Sequence, residues 1–219
     1  TRIISRNQQM MRLDAEITGD LSGNDADALL QKVKLFIKNE KPHILIFEDY
    51  NKGVLTEKLI TAVIALCKEQ GVLTAVDPKR KNFFTYKGVD IFKPNLKEVK
   101  EGLNLLLDTV DVKALSSIHN ELHNLLKHNI SFITLSEKGV FYQLGKDAAL
   151  IPSHVRSIAD VSGAGDTVIA VASLVYAATR NVQQMTAIAN IAGGLVCEEV
   201  GTVAINKEKL LHECELLLS

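Results

Sequence analysis

The chain has 219 residues, 47% of them hydrophobic, and a formal net charge of -1 with both signs spread along its length. It is long enough to enclose a core, yet it carries no basic stripe for a phosphodiester backbone and no long uncharged apolar run of bilayer-spanning length. With no signal-peptide profile at Thr1-Arg-Ile-Ile-Ser-Arg6, the expectation is a cytoplasmic protein without nucleic-acid or membrane partners. The segment Ile3–Ile17 alternates in part, which suits an exposed strand, while its Gln and Met content suits a helix; the strand is preferred, with residues 1–20 forming an edge or lid. A turn at Ser22 leads into a helix from about Asp25 to Asn39. His43–Phe47 reads as a buried strand, Leu55–Gln70 as a helix and Gly71–Val76 as the next strand, which together make one βαβ unit. A short strand, Ile91-Phe92, enters Lys93-Pro94-Asn95, and helical periodicity runs over Leu96–Leu107 and Ser116–Lys127. A strand at Ser131–Leu135, a hairpin through Gly139–Leu150 and two helices rich in small residues, Thr167–Ala178 and Val182–Glu198, complete the pattern. Alternating strands and helices predict an α/β fold with a mostly parallel sheet covered on its faces, and no linker divides residues 1–219 into two domains. Cys67, Cys197 and Cys214 are odd in number and far apart, which fits reduced thiols rather than a disulfide framework.

In a parallel α/β sheet, ligands bind beyond the carboxyl ends of the strands. Polar residues follow each apolar run here: Glu48-Asp-Tyr-Asn-Lys-Gly53, Asp77-Pro-Lys-Arg80, Asn95 with Glu98, and Ser136-Glu-Lys-Gly139. Each has a plain structural account. Asp49, Asp77 and Asn95 suit turns and helix caps, Asn95 and Glu98 have capping-box spacing, Lys52 and Lys79 suit a solvated surface, and Gly53 and Gly139 suit turns. Four such clusters on one sheet edge favour a polar ligand.

The sharpest signal is Asp160-Val-Ser-Gly-Ala-Gly-Asp-Thr167, directly ahead of an apolar helix. Gly163 and Gly165 remove side chains where first-turn N–H groups have no intrahelical partner, a geometry suited to phosphate. A carboxylate at Asp166, next to a bound phosphate, requires a cation or a substrate hydroxyl between them. The P-loop pattern and the third glycine of the dinucleotide fingerprint are both missing. His119 and His123 sit four apart as His-Asn-Glu-Leu-His, which is not the zincin motif, and are expected on a solvated helix face.

The segment Asp160–Thr167 closely resembles the C-terminal signature of the ribokinase-like (phosphofructokinase-B) carbohydrate kinases, and further matches extend over nearly the whole chain. Glu48–Gly53, Asp77–Lys79, Lys93–Glu98 and Arg6-Asn-Gln-Gln-x-x-Arg-Leu-Asp14 resemble most the members that phosphorylate D-glycero-D-manno-heptose 7-phosphate at the anomeric hydroxyl, on the route to ADP-heptose for lipopolysaccharide. The resemblance implies a three-layer sandwich, ATP and Mg2+ as cofactors, a sugar phosphate as acceptor and a homodimer formed through a lid. It implies Asp166 as catalytic base and the amides of Gly163, Ala164 and Gly165 as the anion hole. Asn95 and Glu98 would serve magnesium and the phosphates, with Glu98 at the metal. Ser136, Gly139 and Asn190 would hold the nucleotide, while Asp49, Lys52 and Lys79 would face the sugar or phosphates. The family's early Gly-Gly sugar motif and sugar-gripping aspartate have no counterpart in this sequence, so the expected domain is N-terminally incomplete. The nucleotidyltransferase domain that some heptose kinases carry also has no counterpart in this sequence, which is expected of a kinase-only protein or of a truncated one. Another sugar or nucleoside kinase, or a nucleotide-binding fragment without turnover, are the competing expectations.

Overall fold

Strand-period alternation builds one central sheet, and helix-period stripes cover it on both faces. The computed structural model describes every residue except Arg6, Asn7, Asp108, Val155 and Ser219. Its elements in chain order are β1 (Arg2–Ser5), β2 (Gln8–Arg12), α1 (Gly23–Glu40), β3 (Ile44–Glu48), α2 (Glu57–Glu69), β4 (Leu73–Asp77), β5 (Ile91–Phe92), α3 (Leu96–Leu103), α4 (Val112–Leu126), β6 (Ile130–Thr134), β7 (Val140–Leu144), β8 (Asp147–Ile151), α5 (Ala164–Thr179), α6 (Val182–Cys197) and α7 (Lys207–Leu218).

The six-stranded sheet follows chain order from β3 to β8. Strands β3 to β6 are mutually parallel, and β7 and β8 add antiparallel pairs at one side. Alternate side chains divide between two cores. Phe47, Val76, Phe92, Ile133 and Phe141 face α1, α2 and α4, whereas Ala75, Ile91, Ile130, Phe132 and Tyr142 face α5 and α6. The result is a three-layer α/β/α sandwich in which the carboxyl ends of four parallel strands share one edge. Among the described residues no helix is long and apolar enough to cross a membrane.

Several expectations shift. The N-terminal strand is instead two short strands, β1 and β2, paired antiparallel with Arg2 opposite Arg12. Arg6 and Asn7, which belong to the motif read there, lie outside the described residues. The helix expected to reach Leu107 ends at Leu103, because Asn104 takes a left-handed conformation (φ 52°) and its N–H caps Lys100 O. Helix α4 begins four residues before its predicted start, where Asp111 Oδ1 accepts the Ala114 N–H at 2.8 Å. Helix α7 was not predicted. It is held in part by ion pairs of Arg156 with Glu198 (3.1 Å) and Glu213 and of Lys209 with Glu198 (3.2 Å), which leave no strong apolar period to read.

The solvated histidine face holds for His123, which is exposed, but is overturned for His119. The stripe of α4 that carries Leu115, Ile118 and Leu122 packs on the sheet and takes His119 inside with it. His119 and His128 are 4% and 0% exposed, and both reach the buried Ser131 hydroxyl, from Nδ1 at 2.8 Å and Nε2 at 2.7 Å respectively. Burial, reinforced by the neighbouring imidazoles, pushes His119 down to about 4 and His128 down to about 3. Below pH 6.5 the unfolded chain therefore binds protons that the folded chain refuses, so stability falls as pH drops. Each histidine costs about 2 kcal/mol at pH 5. Urea unfolding at pH 7 and pH 5 checks this: in His128→Gln, which keeps a group to meet Ser131, the decline between the two pH values is smaller than in wild type by about 2 kcal/mol. A parallel decline in both proteins counts against it.

Candidate active site

Strand register delivers the first pair of acids. Glu48 and Asp77 end β3 and β4 as directly paired residues. The start of α5 brings Asp166 to them, and carboxylate oxygens of Glu48, Asp77 and Asp166 all lie within 4.8 Å of one another. Among the described residues this is the set of acids able to hold a cation. Two lysines compensate part of its charge. Lys93, 2% exposed, places Nζ 2.9 Å from Asp77 Oδ2, and Lys79 Nζ lies 3.0 Å from Asp77 Oδ1 and 2.6 Å from Glu98 Oε1. Desolvation, with Asp77 and Asp166 adding repulsion, pushes Glu48 up to about 7. Burial opposes the Lys79 ammonium, but Asp77 and Glu98 outweigh it and hold its pKa at about 12.

The turn into α5 is built by local chemistry. Asp160 accepts N–H bonds from Ser162 at 2.9 Å and from Gly201 at 3.1 Å, and the Ala159 N–H donates to Cys197 O at 2.8 Å. These bonds tie the loop to the end of α6. Gly163 then occupies the N-cap in a left-handed conformation (φ 81°), where it offers no capping side chain. The Ala164 N–H reaches Val161 O at 3.3 Å, and the first intrahelical bond runs from Thr167 N to Gly163 O at 3.0 Å. The amides of Gly165 and Asp166 have no hydrogen-bond partner among the described residues. A Cβ on Gly165 would stand 3.5 Å from Asp77 Oδ2 and 3.8 Å from Lys93 Nζ, so this turn lies directly against the buried ion pair. Asp166 itself is exposed, and both of its oxygens accept from the Tyr50 hydroxyl at 2.8 Å.

The remaining residues named from the sequence separate into those that join this centre and those that do not. Asn95 and Glu98 form a complete capping box at the start of α3, with Asn95 N to Glu98 Oε2 and Glu98 N to Asn95 Oδ1 both 2.8 Å. With Oε1 accepting from Lys79, each Glu98 oxygen accepts one hydrogen bond, and each keeps a further lone pair. Lys79, Glu98 and Asn95 thus continue the charge chain from Asp77. Asn95 also bridges to Thr134 at the end of β6, two residues before Ser136.

Ser136, Gly139 and Asn190 form a second cluster. Ser136 is left-handed (φ 54°), and a Cβ on Gly139 (φ 95°) would stand 2.0 Å from Ile151 O, so only glycine lets the two backbones meet. Asn190 donates to Pro152 O at 2.9 Å from α6 and closes that wall. The side chains of Asp49 and Lys52 turn to other partners, although the Asp49 N–H donates to Asp77 O at 3.3 Å and both residues line a cavity shared with Glu48. Asp49 is buried at 3% exposure and accepts from Asn51 N (2.8 Å), Asn82 Nδ2 (2.9 Å) and Tyr86 OH (2.7 Å). Lys52 pairs with Glu16 at the mouth of a cavity of about 660 Å³ beside β3, whose lining includes Leu29, Leu45 and Tyr50.

Sequence reasoning assigned no role to Glu48, Tyr50 or Lys93. The available signal was their position: Glu48 and Lys93 immediately follow buried strand residues, and Tyr50 lies in the first strand-end loop.

The model for the pfkB family of carbohydrate kinases matches residues 8–209. The chain is 34% identical over 217 residues to the bifunctional protein HldE of Syntrophotalea carbinolica, covering 97% of this chain and 43% of that protein. It is 35% identical over 215 residues to the HldE of Methylobacillus flagellatus, covering 98% and 43%. The chain thus spans less than half the length of these relatives. Among solved structures, phosphofructokinase-2 from Escherichia coli in complex with potassium superposes with a TM-score of 0.78 at 18% identity, covering 91% of this chain and 64% of that one. Ribokinase from Arabidopsis thaliana, complexed with ribose and ATP, gives 0.68 at 17% identity, covering 88% and 59%. These two share the ribokinase-like sandwich. With the family pattern running through both acidic strand ends and the open helix start, this chain belongs to the pfkB family of carbohydrate kinases.

Proposed function

We propose that the protein transfers the γ-phosphoryl group of ATP to a hydroxyl of a phosphorylated sugar, with D-glycero-D-manno-heptose 7-phosphate as the favoured acceptor. The observation that carries this reading is the open first turn of α5, whose unpartnered Gly165 and Asp166 amides stand beside the Asp166 carboxylate. Family membership and the HldE relatives support the reaction class. The heptose acceptor rests on the strand-end segments Glu48–Gly53, Asp77–Lys79 and Lys93–Glu98.

In this reaction the acceptor oxygen attacks the γ-phosphorus, its proton passes to Asp166, and ADP leaves with the electrons of the broken P–O bond. The transition state is loose, so catalysis is chiefly positioning and charge stabilisation. The amides at the start of α5 face the equatorial oxygens, and Lys93 and Lys79 add positive charge behind them. Magnesium, when bound with ATP, neutralises phosphate charge; the acids at Glu48, Asp77 and Asp166 are the donor set that suits a hard cation. The wall of Ser136, Gly139 and Asn190 would flank the nucleotide.

ADP release with Mg-ATP and separate acceptors, namely heptose 7-phosphate, fructose 6-phosphate, ribose and adenosine, tests the reading. Turnover with heptose 7-phosphate alone supports it. A preference for another acceptor moves the enzyme within its family, and no turnover with any of them overturns the proposal. Gly165→Ala provides a second check. The site is helical without a positive φ, so stability is retained or rises by about 0.5 kcal/mol. The methyl group crowds the phosphoryl cradle, and turnover falls at least tenfold. Unchanged turnover in a normally folded variant removes the cradle from the mechanism.

A further inference from the structure

The contact between Tyr50 and Asp166 is not explained by the needs of the fold. Tyr50 is 54% exposed and has no ring–ring contact among the described residues. Its loop is pinned on both sides: Asp49 is locked into the core, and Gly53 O accepts the Leu21 N–H at 2.9 Å. The backbone is therefore held while the side chain stays free to rotate. Its hydroxyl lies 2.8 Å from each oxygen of Asp166, so one proton is shared between two acceptors, and Asp166 has no other hydrogen-bond donor among the described residues. A phenol O–H and a sugar O–H present the same group to a carboxylate. The other face of Tyr50 lines the cavity beside β3, which also reaches Glu48 and Lys52.

We propose that Tyr50 is a positioning residue that holds the acceptor-hydroxyl place on Asp166 and must yield it before phosphoryl transfer. This inference rests on the kinase reading of Asp166. The tyrosine acts as a built-in competitor: its hydroxyl takes, in place of a water or a sugar, the donor position shared by both carboxylate oxygens until an acceptor arrives whose own binding groups compensate for the lost contact. Rotation about the side-chain bonds is enough to release it, and no backbone rearrangement is required.

The test compares wild type, Tyr50→Phe, Asp166→Asn and the double variant, with melting temperatures to confirm folding. The first probe is Mg-ATP alone, with water as acceptor. Tyr50→Phe raises ADP release about fivefold in the wild-type background and has no effect in the Asp166→Asn background. The second probe is Mg-ATP with heptose 7-phosphate. Here the acceptor KM falls about fivefold while kcat stays within twofold, as expected on removing a ground-state competitor. A reduced kcat at constant KM overturns the proposal, because Tyr50 would then act in the transition state. Unchanged hydrolysis and unchanged KM overturn it as well. Failure of the underlying reading is separate: wild type would show no ATP turnover sensitive to Asp166→Asn under either condition.

Discussion

Asp166→Asn lowers sugar phosphorylation by about 10³-fold while ATP binds within about twofold of wild type, the magnitude expected for loss of a positioned general base. The substitution is nearly isosteric, and the amide oxygen still accepts from Tyr50, so the local packing survives. The change is in the proton acceptor. An amide cannot take the hydroxyl proton, and the negative charge beside Glu48 and Asp77 is reduced by one. In the proposed reaction nucleotide binding would draw chiefly on the α5 backbone amides, the lysines and the Ser136–Gly139 wall, which the side-chain change leaves in place; of the three-acid cation donor set it replaces one carboxylate by an amide that keeps an oxygen donor. Titration calorimetry with a non-hydrolysable ATP analogue and single-turnover measurements with the acceptor separate the two quantities. Turnover close to wild type would remove Asp166 from the chemistry, and equal losses in binding and rate would mark it as a nucleotide contact.

Asp49→Ala produces the largest expected stability loss, about 3–5 kcal/mol, because it strands two buried donors and a turn amide. Asn82 Nδ2 and Tyr86 OH, 2.9 and 2.7 Å from Asp49 Oδ2, lie inside the core, where water cannot replace the carboxylate. Burial, with the bond to Asp49, also drives the Tyr86 hydroxyl pKa far above its ordinary value, so Tyr86 remains a donor that needs an acceptor. A loss of this size is a large fraction of the total stability of an ordinary domain. Asp49→Asn keeps one acceptor oxygen and loses about half as much. Urea unfolding measures the loss. The sugar-contact role implied for Asp49 makes the opposite prediction, a raised acceptor KM at an unchanged urea midpoint, and one pair of measurements decides between them.

Much of this protein was legible because its signals are local. Short, nearly continuous apolar runs at Ile44–Phe47 and Ile130–Ile133 mark strands buried on both faces, whose successive side chains enter the two cores, so the sheet could be read from the chain. The capping spacing of Asn95 and Glu98 is met within a single helical turn. At the start of α5, the glycines and Asp166 are adjacent in sequence, and the helix N-terminus supplies the rest of the geometry from its own backbone. The family signature was visible for the same reason.

Long-range partners were not legible. Nothing within Glu48-Asp-Tyr50 shows that the first acid meets Asp77 and Asp166, that the second turns inward, or that the tyrosine reaches the Asp166 carboxylate. The partners of Asp49 are 33 and 37 residues away, and Tyr50 is 116 residues from Asp166. His119 and His123 share one helix at helical spacing, yet His119 is buried because Ser131, 12 residues on, offers it a hydroxyl. The chain by itself determined the layered architecture, the helix caps and the phosphate-suited turn, since each depends on neighbouring backbone dihedrals and periodicity. Tertiary structure alone decided which polar residues face the ligand edge and which serve the core, because desolvation and charge pairing depend on distances that only the folded sheet sets.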